Sequence, residues 1–298
     1  MKKTLKKLYK LLPFKKQFYR FIKLFGTPKK GIYQHLHFVG NINVKTDKDK
    51  SFKIRHYGYE VENEIFWNGL FGGWEKVSLS IWAELCENSE VIFDIGANTG
   101  VYALIAKTIN PDSKVYAFEP VERVYEKLRH NNDLNAYDIT CIEKAVSNFD
   151  GEATIYDKKN EHTYSVTVNL DTSSDKSSSV PTTIQTLRLD TFIENNDISK
   201  IDLLKIDVEK HEVEALEGFG KYLKLFEPTF IIEILNDKIA QGIENLIDGI
   251  GYEFYVIDEY SGIKKVDHLR KSDYYNFLIC KPEIAKSLKS VRKFIDLY

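Results

Sequence analysis

The segment Val91–Gly100 constrains the fold more than any other stretch of the chain. Three apolar residues lead to Asp94, and Gly96, Asn98 and Gly100 then follow at every second position before a helical pattern begins. An apolar strand that runs into a glycine-rich turn and then a helix is the opening unit of an α/β sheet, whose ligands sit at the carboxyl ends of the strands. The same texture continues downstream. Short apolar strands are predicted at 91–95, 114–118, 139–144, 203–207, 229–235, 252–257 and 275–280, with helices near 99–109, 121–131, 211–219 and 238–250. This predicts a Rossmann-like, seven-stranded, mostly parallel sheet with helices on both faces. The segments 153–156, 165–170 and 182–189 read as an inserted β segment around the polar tract 171–179.

The first turn lacks the spacing GxGxxG, which counts against a nicotinamide dehydrogenase. An acid at the strand tip, Asp94, would repel a pyrophosphate but suits an amino-acid ammonium. With Gly96, Asn98 and Gly100 opening the backbone to close approach, it points to S-adenosylmethionine. The next strand ends in Glu119, 25 residues after Asp94, where a carboxylate can accept both ribose hydroxyls. The third strand runs into Ala145 and Val146, where an adenine edge would lie. The fourth ends in Lys205, Asp207 and Glu209, which alternation places on one face, followed by His211. Such a mixed-charge cluster is costly to bury without purpose, although an ion-pair network bracing the next helix is the structural alternative.

These motifs resemble the FkbM family of S-adenosylmethionine-dependent methyltransferases. The resemblance rests on DIGANTG (94–100), AFEP (117–120), EKAVSN (143–148), LRLDTFI (187–193), IDLLKIDVEKHEVEALEGF (201–219) and PTFIIEI (228–234). It implies a class I methyltransferase fold and, usually, O-methylation of a sugar or natural-product hydroxyl, with Lys210 standing where the family commonly has glycine. The acceptor expected is thus a carbohydrate or small-molecule hydroxyl. Asp207 is the first choice for general base, with Lys205 holding it ionised and Glu209, His211 and Glu233 as alternatives. Asp207 and Glu209 holding a divalent metal is a further reading, as is a non-catalytic scaffold that keeps the cofactor fold. His162, Tyr164 and Ser165 are candidates for touching the acceptor.

Charge is distributed unevenly. The chain has 42 Lys and Arg against 44 Asp and Glu, net −2, yet residues 1–30 hold ten lysines, Arg20 and no acid. A +11 segment thus precedes a body of −13. Leu5, Leu8, Tyr9 and Leu12, then Phe14, Phe18, Phe21, Ile22 and Phe25, recur at helical spacing, so a basic amphipathic helix divided at Pro13 is predicted. It would either anchor peripherally on anionic lipid or dock on a protein surface. Lysines interrupt it too often for a secretory signal, and no apolar run is long enough to span a bilayer. The acidic body argues against nucleic acid. Three scattered cysteines form neither a disulfide framework nor a zinc site and fit a reducing, cytoplasmic setting, peripheral at the inner membrane face if the basic arm binds lipid.

The expected organisation is a basic segment (1–30), lead-in strands and helices (31–90), a methyltransferase domain (91–281) and a closing helix (282–298). The lead-in is expected to carry two strands (37–44 and 51–57) and one largely helical stretch from 62 to 86. Its three tryptophans are candidates for a pocket wall or for packing.

Overall fold

The computed structural model describes residues 14–46, 50–158 and 179–289. The expected strand at 165–170, the polar tract to residue 178, His162, Tyr164, Ser165 and the ends of the chain lie outside them. Among the described residues, no helix is long and apolar enough to cross a membrane.

The described residues open with a helix Lys15–Lys23 and lead to an antiparallel hairpin of β1 (Gly40–Lys45) and β2 (Ser51–His56), in register from Gly40↔His56 to Lys45↔Ser51. The predicted helical stretch 62–86 is two helices, Glu60–Asn68 and Lys76–Cys86. The break has a local cause: Gly69, Gly72 and Gly73 intervene, and a Cβ on Gly72 would lie 2.2 Å from the Asn68 carbonyl oxygen.

The α/β body follows as β3 (Val91–Ile95), helix Val101–Ile109, β4 (Lys114–Phe118), helix Glu122–Asn135, β5 (Thr140–Ile142), β6 (Ala145–Val146), β7 (Gly151–Lys158) and β8 (Ser179–Leu187). Helix Leu189–Asn195 leads to β9 (Leu203–Ile206), and helices Glu212–Glu217 and Tyr222–Phe226 lead to β10 (Thr229–Glu233). Helix Asp237–Ile247, β11 (Glu253–Asp258), β12 (Gly262–Val266), β13 (Asn276–Cys280) and helix Pro282–Ser287 complete it.

The main sheet runs β12-β11-β13-β10-β9-β3-β4-β5. The strands from β10 to β5 are parallel, and β13 is antiparallel to both its neighbours. This is the class I methyltransferase arrangement, with a correction to the expected seven strands. An eighth, β12, folds back from β11 across a turn at residues 259–261 and extends the edge. Its lysines 264 and 265 carry too little apolar signal for a strand. The predicted strand at 139–144 is shorter than expected, and a second strand begins just beyond it. β5 stays in the main sheet, and β6 joins β8 and β7 in a separate three-stranded sheet built by the insertion.

Alternation along the strands sends side chains to two cores. Ile92, Leu203, Ile231 and Leu278 face one, which is continuous with the lead-in through Trp67, Trp82 and Phe52. Phe93, Leu204, Ile232 and Phe277 face the other, under helices 189–195, 212–217 and 237–247. The same alternation places Asp94, Lys205, Glu233 and Asn276 on the lead-in side of the sheet. Asp94 pairs in register with Lys205, and Glu233 with Asn276.

Candidate active site

A cavity of about 320 Å³ opens at the carboxyl ends of β3, β4 and β9. Of the residues singled out in the sequence, Asp94, Gly96, Asn98, Glu119, Ala145, Val146, Lys205, Asp207, Glu209 and His211 line it. Gly100 does not. A Cβ there would meet Leu128 at 2.6 Å, so its glycine serves the packing of the following helix.

The turn after β3 is set by close approach. Gly96 has φ +82, and a Cβ on it would lie 1.9 Å from the Asp207 carbonyl oxygen, so the first and fourth strand tips can meet only over glycine. Gly96 and Ala97 donate their N–H groups to the Phe118 carbonyl at 3.0 and 2.9 Å, tying this turn to β4. Asp94, 1% exposed, accepts the Ala103 N–H at 3.0 Å. Glu119 accepts the N–H groups of Asn98 at 3.1 Å and Val121 at 3.0 Å, one on each oxygen. Burial pushes both carboxyls up to about 7, against the pull of these bonds.

Both carboxylates keep lone pairs free to accept from a ligand. Asn98 adds a side-chain oxygen that is buried with no hydrogen-bond partner among the described residues. Two buried acids, an orphaned acceptor and an unobstructed backbone fit a cationic nucleoside. In S-adenosylmethionine, Asp94 would meet the ammonium, Glu119 the ribose hydroxyls and the Ala145–Val146 edge the base.

The tip of β9 is built differently. Lys205 is 1% exposed, with Nζ 3.4 Å from an Asp207 carboxylate oxygen, 3.3 Å from Asn276 Oδ1 and 5.1 Å from the centre of the Tyr102 ring. Burial opposes its charge, but Asp207, Glu75, Glu233 and Asp94 outweigh it and its pKa is raised. The buried ammonium therefore stays protonated and holds the cluster together. Asp207 remains about a third exposed, so its carboxylate is open to the cavity. Burial, then the Asp207 charge, raises Glu209. Glu233, expected as an alternative base, lies behind the lining, pushed up to about 9 by burial and by Asp207.

His211 reaches the cavity wall, with Nε2 3.0 Å from the Ser147 hydroxyl and Nδ1 3.6 Å from Glu214. Burial lowers its pKa. Glu209 and Lys210 both have positive φ, 51° and 78°, so the turn keeps a glycine-like backbone although Lys210 occupies it. Among the described residues, no group of three or more His, Cys, Asp or Glu side chains is placed to share a metal ion.

Sequence reasoning missed Glu75 and Tyr102. Tyr102 lines the cavity, and its hydroxyl donates to Glu75 at 2.6 Å. Glu75 immediately precedes helix Lys76–Cys86 but does not cap it. Glu259, from the turn after β11, accepts the N–H groups of Val77 and Ser78 at 2.7 and 3.2 Å. Relieved of that task, Glu75 adopts φ 45° and faces Tyr102 and Lys205. No local signal marks either residue. Of the three tryptophans, Trp67 and Trp82 are core, and Trp74 lines the cavity with Tyr59.

The methyltransferase FkbM domain model matches residues 94–271. The hexuronic acid methyltransferase AglP of Haloferax volcanii is 25% identical over 150 residues, which is 50% of this chain and 58% of that protein. The chain therefore spans somewhat over half the length of that curated relative. Similar solved structures include methyltransferase FkbM from Methylobacillus flagellatus KT, 17% identical, covering 64% of this chain and 43% of that one at a TM-score of 0.38. Aeropyrum pernix fibrillarin with natively bound S-adenosyl-L-methionine is 15% identical, covering 80% and 81% at 0.39. A SAM-dependent methyltransferase from Agrobacterium tumefaciens is 10% identical, covering 83% and 72% at 0.42.

Proposed function

The chain belongs to the FkbM methyltransferase family, with S-adenosylmethionine as its methyl donor, and from this premise we propose that it methylates a sugar hydroxyl in a glycan or glycolipid. The observation that carries the proposal is Asp207, a part-exposed carboxylate in the cavity anchored by the buried Lys205 ammonium. The similarity to a hexuronic acid methyltransferase supports a sugar as the acceptor. So do the aromatic walls Tyr59 and Trp74, which offer apolar faces to a pyranose ring.

When bound, the cofactor supplies an electrophilic methyl carbon on a cationic sulfonium. The protein orients the acceptor, excludes water and removes a proton. Asp207 accepts the hydrogen bond of the acceptor hydroxyl and takes its proton as the oxygen forms its new bond. Lys205, 3.4 Å from Asp207, positions that carboxylate and is itself kept charged by the carboxylates around it. His211, drawn toward Ser147 and made less basic by burial, is the weaker candidate for this proton.

Asp207→Asn should keep cofactor affinity by calorimetry and lower turnover by about 10²–10⁴-fold. Full activity of this variant would sink the assignment of the base. The acceptor class is tested by mass spectrometry of glycans and lipids from cells with and without the gene. Loss of one methyl group from a sugar is the expected difference, and its loss from a non-carbohydrate metabolite alone would overturn the sugar reading.

A further inference from the structure

A helix on the surface of a globular protein ordinarily buries its apolar stripe and shows its lysines to water. Helix Lys15–Lys23 departs from this, burying Tyr19 and packing Ile22 inward but leaving its phenylalanines outside. At 3.6 residues per turn, Lys16, Tyr19 and Lys23 share one face, and that face points inward. Tyr19 is buried, its ring 5.8 Å from Trp67 and 6.2 Å from Phe38. The Lys16 and Lys23 ammonium groups donate to the backbone carbonyls of Asn41 and Phe66. Thr27 Oγ1, just beyond the helix, donates to the Trp67 carbonyl at 2.9 Å.

Phe14, Phe18, Phe21 and Phe25 recur at four-, three- and four-residue steps on the opposite side. With Leu24 they are 58 to 80% exposed. The helix is thus fixed to the body by its cationic face and presents an aromatic ridge to solvent. Exposed aromatics this concentrated mark an interaction surface.

Charge selects the occupant. Residues 14–30 carry six cations and no acid, within a thirty-residue segment of +11. An aromatic ridge flanked by the exposed Arg20 and Lys29, in a segment with no acid of its own, matches an anionic lipid interface, where rings enter the acyl boundary and ammonium and guanidinium groups meet headgroup phosphates. We infer that this face docks the protein on an anionic bilayer. The cavity lies one helix away: Phe66 and Trp67, which hold the basic helix, belong to helix Glu60–Asn68, whose first residues Glu60 and Val61 line the cavity. Lys30 spans the two, 3.9 Å from Glu60 and 3.3 Å from Glu64. A bilayer bound by the ridge would thus bring the site close to a lipid-borne acceptor. The docking itself does not depend on which acceptor is methylated.

Co-sedimentation of the full chain with vesicles is the test. Binding to equal parts phosphatidylglycerol and phosphatidylcholine should exceed binding to phosphatidylcholine alone by about tenfold or more, and weaken with salt. The triple variant Phe18→Ser, Phe21→Ser, Phe25→Ser should lose about tenfold of that binding. Its melting temperature and cofactor affinity should stay unchanged, because all three side chains are exposed and none lines the cavity. Arg20→Glu should weaken binding without altering the fold. No preference for anionic vesicles, or preference undiminished in the triple variant, overturns the inference. Self-association in solution that the triple variant abolishes, without vesicle binding, would assign the ridge to a second copy of the chain and overturn it equally.

Discussion

The two βα turns that meet in the cavity are built on opposite plans. After β3, positive φ falls on Gly96, Asn98 and Gly100, residues that tolerate it, and the nearby carboxylates are answered by backbone N–H groups. After β9, positive φ falls on Glu209 and Lys210 with no glycine, and the carboxylate at the tip is answered by a side-chain ammonium. The first plan holds its acids on backbone N–H groups, with Lys205 only a longer-range charge on Asp94, and leaves their lone pairs for a ligand brought from outside. The second supplies its own cation and leaves the Asp207 carboxylate open to the cavity. The difference lies in where the compensating charge comes from, and it separates a binding turn from a reacting one.

The largest expected effect tests that compensation. Lys205→Met leaves Asp94, Asp207, Glu75 and Glu233 without their shared cation and should cost about 3–5 kcal/mol of stability by denaturant unfolding. Asp94→Asn, in the other turn, keeps the bond from Ala103 and should cost about 1 kcal/mol or less. Equal losses in the two variants would break the contrast.

Next in size, Glu119→Ala should weaken cofactor binding about tenfold or more, worth ~1.4 kcal/mol, by calorimetry. Normal affinity would remove Glu119 from the ribose.

The acids of the first turn also predict a pH dependence. Asp94 and Glu119 have folded values raised to about 7, so the stability they contribute is complete below the ordinary carboxylate range and is lost as pH rises through about 7. Cofactor affinity should move the other way, rising as they ionise, and binding near neutrality should release protons, read as a buffer-dependent heat. Flat affinity across that window would contradict the pairing of Asp94 with the ammonium and of an ionised Glu119 with the ribose hydroxyls.

The smallest effect concerns the second turn alone. Lys210→Gly removes a side chain from φ 78° and should stabilise the protein by ~1 kcal/mol. Unchanged or lower stability would mean that contacts of the lysine side chain offset the strain.

These contrasts also explain what could be read in advance. Asp94, Gly96, Asn98 and Glu119 were legible because their roles are fixed within a few residues: an apolar strand, a turn requiring positive φ and an acid at the strand tip. Lys205 and Asp207 were legible as a face, through the two-residue period of a strand. The split of helix 62–86 was signalled by its glycines but overridden by the apolar periodicity on either side. β12 gave almost no signal, because an edge strand with exposed lysines buries little.

The sequence by itself determined the parallel α/β core, the cofactor turn and the acids at the strand tips, since each follows from backbone preferences and periodicity over adjacent positions. Only the tertiary structure decided the partners of Lys205. Asn276 reaches it through β13 and β10, and Glu75 faces it because Glu259, 182 positions from Val77, took over the helix cap. The same holds at the amino-terminal end. The sequence gives that helix two chemical faces, and the pocket for Tyr19 between Phe38 and Trp67 decides which of them turns outward. Local dihedral requirements are written in neighbouring residues, whereas charge compensation and facing depend on contacts between segments far apart in the chain.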